Sequence, residues 1–262
     1  DESTGRNLFY RTPLLKDILG YTRWCFGLVI LLFAWEITGN RGWLGSTWPP
    51  LSSIFDYLNS RPNLELLIRN AGVTGVNAVL GLLLGTLIGA LLAILGFLIP
   101  RLYPGLSTFA TFVNALPLIA LGPLLIITVG EGATPIAIAT LSVFFSFFVA
   151  AISGINQTTA IQRDVTTVFG ASRWKQLRFV QLPAAVPRLF DGLKLGASAA
   201  VLGAILGEWL GSGRGLGVIL VSAMQNFQIE LLWSAALFGT LLTITGFVCI
   251  SLIQFVFFRR YL

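Results

Sequence analysis

The chain has 262 residues, of which 55% are hydrophobic and only 11% are charged. Soluble domains carry about 25% charged residues, so this composition excludes an ordinary water-soluble domain and indicates a chain that crosses a membrane several times. Histidine is absent and both cysteines lie in apolar runs, which excludes most metal and Cys/His chemistry. The net charge is +6, and because the basic residues lie between apolar runs, they indicate membrane topology rather than a nucleic-acid partner.

Apolar runs long enough to cross a membrane, which takes about 20 residues, occur about six times. A polar segment, 1–23, comes first, and because no apolar export segment stands there we expect no cleavable signal peptide. The predicted spans are 24–38, 71–99, 106–129, 135–155, 189–210 and 231–258. They predict an all-α polytopic membrane protein with a transmembrane core of 70–258 and a tail of 259–262.

The loop 39–69, between the first two predicted spans, contains an amphipathic pattern. Pro50 favours a helix start, and apolar residues follow at relative positions 0, 3, 4 and 7: Leu51, Ile54, Phe55 and Leu58. Trp43 and Trp48 are typical of a membrane interface. The loop therefore predicts a short helix that lies on the membrane or on other spans, or a contact surface for an external partner.

The basic residues predict the orientation. If residues 1–23 are cytoplasmic, 13 of the 17 lysines and arginines fall on the cytoplasmic side, and the other four are Arg41, Arg61, Arg69 and Arg214. Because basic residues accumulate on the cytoplasmic side in short loops, we expect both termini, and the loop between the fourth and fifth spans, to be cytoplasmic.

Small residues recur every four positions in the second and fifth spans. They are Gly81, Gly85, Gly89 and Ala93 in the second span and Gly203, Gly207 and Gly211 in the fifth. Because apolar helices gain no hydrophobic drive from associating in lipid, such series let two backbones approach closely enough for dispersion contacts. The pattern predicts tight helix packing, with a moving interface as the functional alternative.

Few polar residues fall within the predicted spans, and these few are candidates for a substrate pathway. Asn114 precedes Pro117 and Pro123, which should both loosen the third span. Ser142 and Ser146 lie one turn apart on the fourth span. We expect these three polar residues to line the pathway, and hydrogen bonding between helices is the alternative for each.

Three charged residues fall in the fifth span. Glu208, at the predicted external end, is assigned to the pathway as an outer gate element or a contact for a binding protein, with a charge at the lipid headgroups as the alternative. Asp191 and Lys194 are three positions apart, so we expect them to form an ion pair near the cytoplasmic end.

A polar, basic insert, 158–188, separates the fourth and fifth spans. Gly170 is expected to end a short helix as its C-terminal cap, Ser172 to begin a second one, and Pro183 and Pro187 to end it. One face of this helix pair is apolar, and the other carries basic side chains: Arg173, Lys175 and Arg178. The residues alone leave three interpretations open: a helix pair on anionic lipid, a solvated loop, or a docking element for a cytoplasmic protein.

The insert resembles the EAA loop of inner-membrane permeases of ABC importers, whose pattern is E-A-A-x3-G-x9-I-x-L-P. Asp164 stands for the Glu, Gly170 and Val180 keep the spacing, and Leu182 and Pro183 complete it, whereas Val-Thr replaces Ala-Ala. The segments "ALPLIALGPLLIITVGEG" and "GEWLGSGRGLGVIL" resemble permeases for nitrate, sulfonate, taurine and bicarbonate, and others for thiamine or riboflavin precursors. The sequence "GEWLG" at Gly207–Gly211 resembles the permeases for vitamin precursors more closely.

The resemblance implies a type I ABC importer permease fold in a cell inner membrane, which forms the path of a small polar solute. It implies two ATP-binding subunits, a second permease copy or paralogue, an external or periplasmic solute-binding protein and membrane lipid as partners. It also implies a non-catalytic subunit without a cofactor of its own, with ATP and Mg on the partner ATPase. The residues that it assigns to the ATPase contact are Asp164, Gly170, Ser172, Arg173, Trp174, Lys175, Leu182 and Pro183.

The residues themselves weigh against two other classes. No G-x-x-x-x-G-K-[ST] motif is present, so energy from ATP must reach the chain through a partner. An ion-gradient-driven secondary transporter or channel is the alternative function, but the central parts of the second, third, fourth and sixth spans contain no Asp, Glu, Lys or Arg. A membrane enzyme is disfavoured because histidine and clustered carboxylates are missing.

Overall fold

The computed structural model of the chain describes residues 13–159 and 165–259, so Asp164 and both chain ends lie outside the described residues. The regular elements in these ranges are helices, which confirms the predicted all-α fold. The chain divides into two compact units, one ending at Asn59 and one beginning at Ser60. In chain order the helices are α1 (Pro13–Arg41), α2 (Leu51–Asn59), α3 (Arg61–Leu98), α4 (Tyr103–Ala115), α5 (Leu118–Val129), α6 (Thr134–Ile155), α7 (Arg173–Gly211), α8 (Leu216–Gln225) and α9 (Ile229–Arg259).

In the first unit, a corner of aromatic and polar contacts joins α1 to α2. Trp35 donates a hydrogen bond from Nε1 to the carbonyl oxygen of Pro49 at 3.0 Å, and its ring packs on that of Trp48 with centroids 4.8 Å apart. The predicted helix begins at Leu51, and its residue Ile54 is buried. The amphipathic pattern of this loop therefore forms the helix that was predicted.

Glu36 closes the same corner by capping α2. Its carboxylate accepts hydrogen bonds from the amide of Ser52 at 3.1 Å and from the hydroxyl of Ser52 at 2.7 Å. Ser52 lies in the first turn of α2, where amides have no acceptor within the helix. We therefore expect Glu36→Ala to speed hydrogen exchange in that turn, measured by mass spectrometry, and Glu36→Gln to have a smaller effect because it keeps an acceptor. Unchanged exchange in the alanine variant would contradict the capping role.

The apolar helices correspond to the predicted spans. Among the described residues, α3, α6, α7 and α9 are each long and apolar enough to cross a membrane. The pair α4 and α5 is apolar enough only when its two helices are taken together, and it is bent by 97°, as in a broken span or a re-entrant loop. In α1 the described apolar part is Phe26–Asn40, which is shorter than these spans and corresponds to the first predicted one.

The third predicted span is broken at Pro117. α4 ends at Ala115, α5 begins at Leu118, and Leu116 and Pro117 between them have extended backbone. A proline disfavours the helical conformation in the residue before it and has no amide to continue the helix. The predicted loosening at Pro117 is therefore confirmed, whereas Pro123 lies inside α5.

α6 packs between α3 and α7 and forms the core of the second unit. Gly81, Gly85 and Gly89 of α3 and Gly203 and Gly207 of α7 are buried at these contacts, whereas Gly211 is partly buried and faces Ile126 of α5. A Cβ atom added to Gly85 would lie 2.7 Å from the carbonyl oxygen of Thr140, and one added to Gly203 would lie 2.7 Å from Cα of Ala139. The backbones approach more closely than any side chain allows, so the predicted packing role is confirmed.

α7 runs without interruption through the prolines that were expected to end a short helix, so that expectation is wrong. It has a π turn over Leu177–Gln181 and continues as Leu182–Gly211, with Pro187 inside it. Pro183 has no amide to pair with the carbonyl of Phe179, and the widened turn lies at this point, where it gives the ring room. One helix of 39 residues therefore joins the insert to the fifth span.

Candidate functional site

The coupling segment, which we define as residues 165–182, turns sharply at Gly170. This residue has a φ of +66°, which glycine adopts without steric cost. Its amide donates to the carbonyl oxygen of Thr167 at 2.9 Å, and the amide of Ala171 donates to that of Thr166 at 3.0 Å. These two bonds form a Schellman motif, so the predicted C-terminal cap at Gly170 is confirmed.

The segment is rooted in the core just after this turn. Ser172 is the N-cap of α7, as predicted, and its hydroxyl accepts a long hydrogen bond of 3.5 Å from the amide of Lys175. Leu177 is fully buried among apolar side chains of α3, α4 and α6. Leu182 also packs against this cluster. The start of α7 is therefore held in a fixed position relative to the spans.

Large apolar side chains project from the turn itself. Val168 and Phe169 are each 84% exposed, and Trp174 is 54% exposed. Exposed apolar side chains that stand together mark an interaction site more often than a solvated surface. Of the residues assigned to the ATPase contact, Trp174 belongs to this exposed group and Pro183 is also exposed, whereas Leu182 packs inward.

The three basic side chains of the segment take different positions. Arg173 donates from Nη1 to the carbonyl oxygen of Phe97 at 3.2 Å, in the last turn of α3, where carbonyl groups lack partners within the helix. Lys175 and Arg178 are exposed, and the guanidinium of Arg178 lies 5.6 Å from the ring centroid of Phe179. Arg173 thus ties the coupling segment to α3, and the other two remain at the surface.

At the opposite end of α7, Glu208 lies inside the protein. Its side chain is 1% exposed; Oε2 accepts a hydrogen bond from the hydroxyl of Thr74 at 2.8 Å, and Oε1 accepts one from Nδ2 of Asn77 at 2.9 Å. This burial does not fit the interpretation of Glu208 as a headgroup-level charge or a direct contact for a binding protein. The sequence did contain a signal that was missed, because Asn70, Thr74 and Asn77 follow at 0, 4 and 7 on one helix face.

The other pathway candidates lie on two helices, Asn114 on α4 and both serines on α6. Asn114 is exposed near the end of α4, and Ser146 is partly exposed on α6. Ser142 donates to the carbonyl oxygen of Ile138 in its own helix at 2.9 Å.

Asp191 and Lys194 approach to 4.0 Å, which confirms the predicted ion pair.

A groove of about 560 Å³ lies between α3, α7 and α9. Its lining is almost wholly apolar, and the hydroxyl of Thr245 in it donates to the carbonyl oxygen of Leu241 at 2.7 Å. Within the described ranges no group of three or more Cys, Asp or Glu side chains could hold a metal ion. The groove therefore offers hydrocarbon contacts rather than a binding site for a polar solute.

Residues 81–262, which include α6, the coupling segment, Glu208 and α9, match the family model described as "Binding-protein-dependent transport system inner membrane component". The chain belongs to this family. As a binding-protein-dependent permease it is a multi-pass inner-membrane subunit of an ABC importer, which confirms the family that the sequence resemblance predicted.

Individual relatives agree with this assignment. The chain is 31% identical over 210 residues to a "Probable ABC transporter permease protein" of Haemophilus influenzae, a match that covers 79% of this chain and 85% of the relative. It is 26% identical to the "Putative aliphatic sulfonates transport permease protein SsuC" of Bacillus subtilis, over 78% of this chain and 76% of that one. It is also 31% identical to the "Riboflavin transport system permease protein RibX" of Chloroflexus aurantiacus, over 54% and 53%.

A solved structure shows the same fold. A chain of the MetNI methionine ABC transporter in an inward-facing conformation superposes with a TM-score of 0.61 over 74% of this chain and 99% of that chain, at 19% identity. The predicted type I importer permease fold is therefore confirmed for this permease.

Proposed function

We propose that this permease is driven by two ATP-binding subunits that dock on the coupling segment. The observation that carries the proposal is the exposed apolar turn formed by Val168 and Phe169, whose shape depends on the positive φ of Gly170. An apolar projection of this kind on a membrane protein needs a protein groove or a lipid surface to cover it. The EAA-type spacing supports the protein groove, and Asp164, Gly170, Ser172, Arg173, Trp174, Lys175, Leu182 and Pro183 form or shape the contact.

The proposed mechanism is mechanical. The sequence contains no G-x-x-x-x-G-K-[ST] motif, so we propose that ATP and Mg bind to the partner ATPase and that this chain works without a cofactor of its own. Closure of the ATPases would displace the coupling segment, and because α7 is one continuous helix the displacement would reach its far end. A partner shifts such an equilibrium only if it contacts the two states unequally, which an apolar turn seated in a closing groove allows.

A charge placed on the apolar turn tests this docking. Phe169→Asp is expected to weaken binding of the ATPase subunit by about tenfold or more, because a carboxylate would have to enter an apolar contact. The measurement is the dissociation constant of the purified ATPase subunit from the permease in nanodiscs. The fold should not change, because the side chain of Phe169 is 84% exposed.

Phe227→Asp is the matched control for this experiment. Phe227 is 83% exposed in the connection between α8 and α9, and its φ of +55° is one that aspartate tolerates. The control variant should bind the ATPase subunit as the wild type does. Equal binding by the Phe169→Asp variant would contradict docking through this turn and favour a lipid contact.

The proposed orientation places both termini and the coupling segment in the cytoplasm. It is supported by the 13 of 17 basic residues that then lie on the cytoplasmic side. A second permease copy or paralogue would complete the membrane part, and a solute-binding protein would deliver the substrate from outside.

The proposed cargo is a small polar solute, either a nitrate-, sulfonate-, taurine- or bicarbonate-like anion or a thiamine- or riboflavin-precursor heterocycle. Relatives named for aliphatic sulfonates, taurine, riboflavin and formylaminopyrimidine support both classes. We propose that Asn114, Ser142 and Ser146 line the pathway. Glu208 belongs to the pathway indirectly, because it is buried between the helices and holds them in position. Mass spectrometry of the ligand captured by the partner binding protein distinguishes an anion from a heterocycle.

A further inference from the structure

The short helix α8 cannot cap its own beginning. It starts after Gly215, which occupies the N-cap position and has no side chain to accept a hydrogen bond. The first amides of any helix have no acceptor inside the helix, and leaving them unpaired in a buried place costs stability. These amides must therefore find acceptors elsewhere in the protein.

Three of the first four amides of α8 find an acceptor on another helix. The amide of Gly215 donates to Oδ1 of Asn70 at 2.9 Å, and the amide of Leu216 donates to the hydroxyl of Thr74 at 2.9 Å. The amide of Gly217 donates to Oε2 of Glu208 at 3.1 Å. The start of α8 is thus capped by two side chains of α3 and one of α7.

Glu208 connects this cap to both longer helices. Its carboxylate accepts hydrogen bonds from the amide of Gly217, the hydroxyl of Thr74 and Nδ2 of Asn77. Thr74 in turn accepts the amide of Leu216, so that donors from α3 and α8 converge on one buried carboxylate of α7. Its two acceptor-only oxygens suit a place where three donors meet.

Close packing leaves little freedom around this group. A Cβ atom added to Gly217 would lie 2.8 Å from Cβ of Glu208 and 2.9 Å from the amide nitrogen of Trp209. The backbone of α8 therefore contacts the last turns of α7 directly, and the hydrogen bonds fix which amide faces which oxygen.

We propose that Glu208 is a positioning residue, which holds the start of α8 on α3 and α7 so that the ends of these three helices move as one body. α7 has 39 residues and begins at the coupling segment, which places Glu208 roughly 50 Å along the helix from it. A displacement at the coupling segment thereby reaches α8. This last step rests on the proposed ATP-driven function, whereas the positioning of α8 does not.

Replacements at Glu208 separate hydrogen bonding from packing. Glu208→Leu keeps much of the volume but accepts no hydrogen bond, so the amides of Leu216 and Gly217 should exchange with deuterium about tenfold faster. In Glu208→Gln the exchange rate should stay close to that of the wild type. The glutamine oxygen can accept hydrogen bonds from Thr74 and Gly217, and its NH2 group can donate to Oδ1 of Asn77 once the side-chain amide of Asn77 has flipped. The measurement is exchange over residues 213–219 of the full chain in nanodiscs, with α6 as internal reference.

A second pair of variants keeps the test decisive if the leucine variant fails to fold. Asn77→Asp sets two carboxylates against each other and should also speed exchange over 213–219, whereas Asn77→Asp combined with Glu208→Gln restores one donor and one acceptor and should slow it again. Wild-type exchange in the leucine variant, or an Asn77→Asp defect that Glu208→Gln does not relieve, overturns the proposal.

Transport assays on the same variants address the proposed function separately. With the ATPase subunits and binding protein present, Glu208→Leu should still hydrolyse ATP but transport at least about tenfold less per ATP. If exchange behaves as expected while transport per ATP is unchanged, the cap holds α8 but takes no part in coupling, and that part of the proposal is wrong. If the wild-type complex itself shows no ATP-driven transport, the proposed function fails while the exchange result stands.

Discussion

Gly170→Val is expected to lower ATP-driven transport by at least about tenfold while the chain still inserts into the membrane. Gly170 has a φ of +66°, and an L-residue in this region costs roughly 1–2 kcal/mol, with β-branched residues worst. Valine would therefore open the Schellman motif and turn Val168 and Phe169 away from the position in which they project. The measurement is uptake into proteoliposomes that contain the permease with its ATPase subunits and binding protein.

Two variants control for this effect. Gly170→Asn should keep most of the activity, because asparagine tolerates the left-handed region better than other non-glycine residues. Gly132→Val places the same side chain at a glycine that has open space and no positive φ, so it should transport as the wild type does. Full transport by the Gly170→Val variant would show that the shape of this turn does not matter for coupling.

Gly85→Leu is expected to prevent folding, with a loss of at least about tenfold in the yield of monodisperse protein. Its Cβ atom would lie 2.7 Å from both Cβ of Val143 and the carbonyl oxygen of Thr140 on α6, and the backbone there cannot move aside without separating the helices. Overpacking by a single methylene already costs about 1–3 kcal/mol, and leucine adds four carbon atoms. Size-exclusion chromatography of the solubilised protein measures the yield.

Gly75→Leu is the matched control, because Gly75 lies on the same helix but faces the groove between α3, α7 and α9. A Cβ atom there would meet only Cδ1 of Leu242, at an ordinary contact distance of 3.5 Å. This variant should fold with nearly the wild-type yield. Equal yields from Gly85→Leu and Gly75→Leu would contradict the close approach of α3 and α6.

Local rules predicted much of the fold. The apolar runs located the spans because a bilayer requires about 20 apolar residues per helix. The glycine series located the faces of α3 and α7 that pack on α6, since small residues at a spacing of four lie on one face. The cap at Gly170 and the start of α7 after Ser172 followed from backbone preferences that act within a few residues.

Features that depend on distant partners could not be predicted in the same way. Pro183 and Pro187 were expected to end a helix, but burial of Leu177 in the core and a π turn carry α7 through them. Glu208 was expected near the surface because its sequence neighbours place it at the end of a span. Its burial depends on Asn70, Thr74 and Asn77, more than a hundred residues away in the chain, whose common helix face was the available signal.

For the coupling segment, composition did not predict the partner, whereas the spacing of particular residues predicted the family. Its apolar and basic residues suit an anionic membrane surface as well as a protein groove, so composition leaves the partner open. The spacing between Gly170 and Pro183 identified the family because it describes a shape rather than a composition. The structure shows that shape as a capped turn joined to a continuous helix.

The π turn of α7 has a consequence for the angular setting of that helix. A π turn holds one residue more than an α turn needs, so the residues before Leu177 are rotated about the axis by roughly 100° from the azimuth that an uninterrupted helix would give them. Leu177, at the first position of the π turn, is fully buried, whereas Trp174, in the α-helical turn before it, is 54% exposed. The direction of the exposed apolar turn about the axis of α7 is thus set by one additional residue in the helix rather than by a flexible loop.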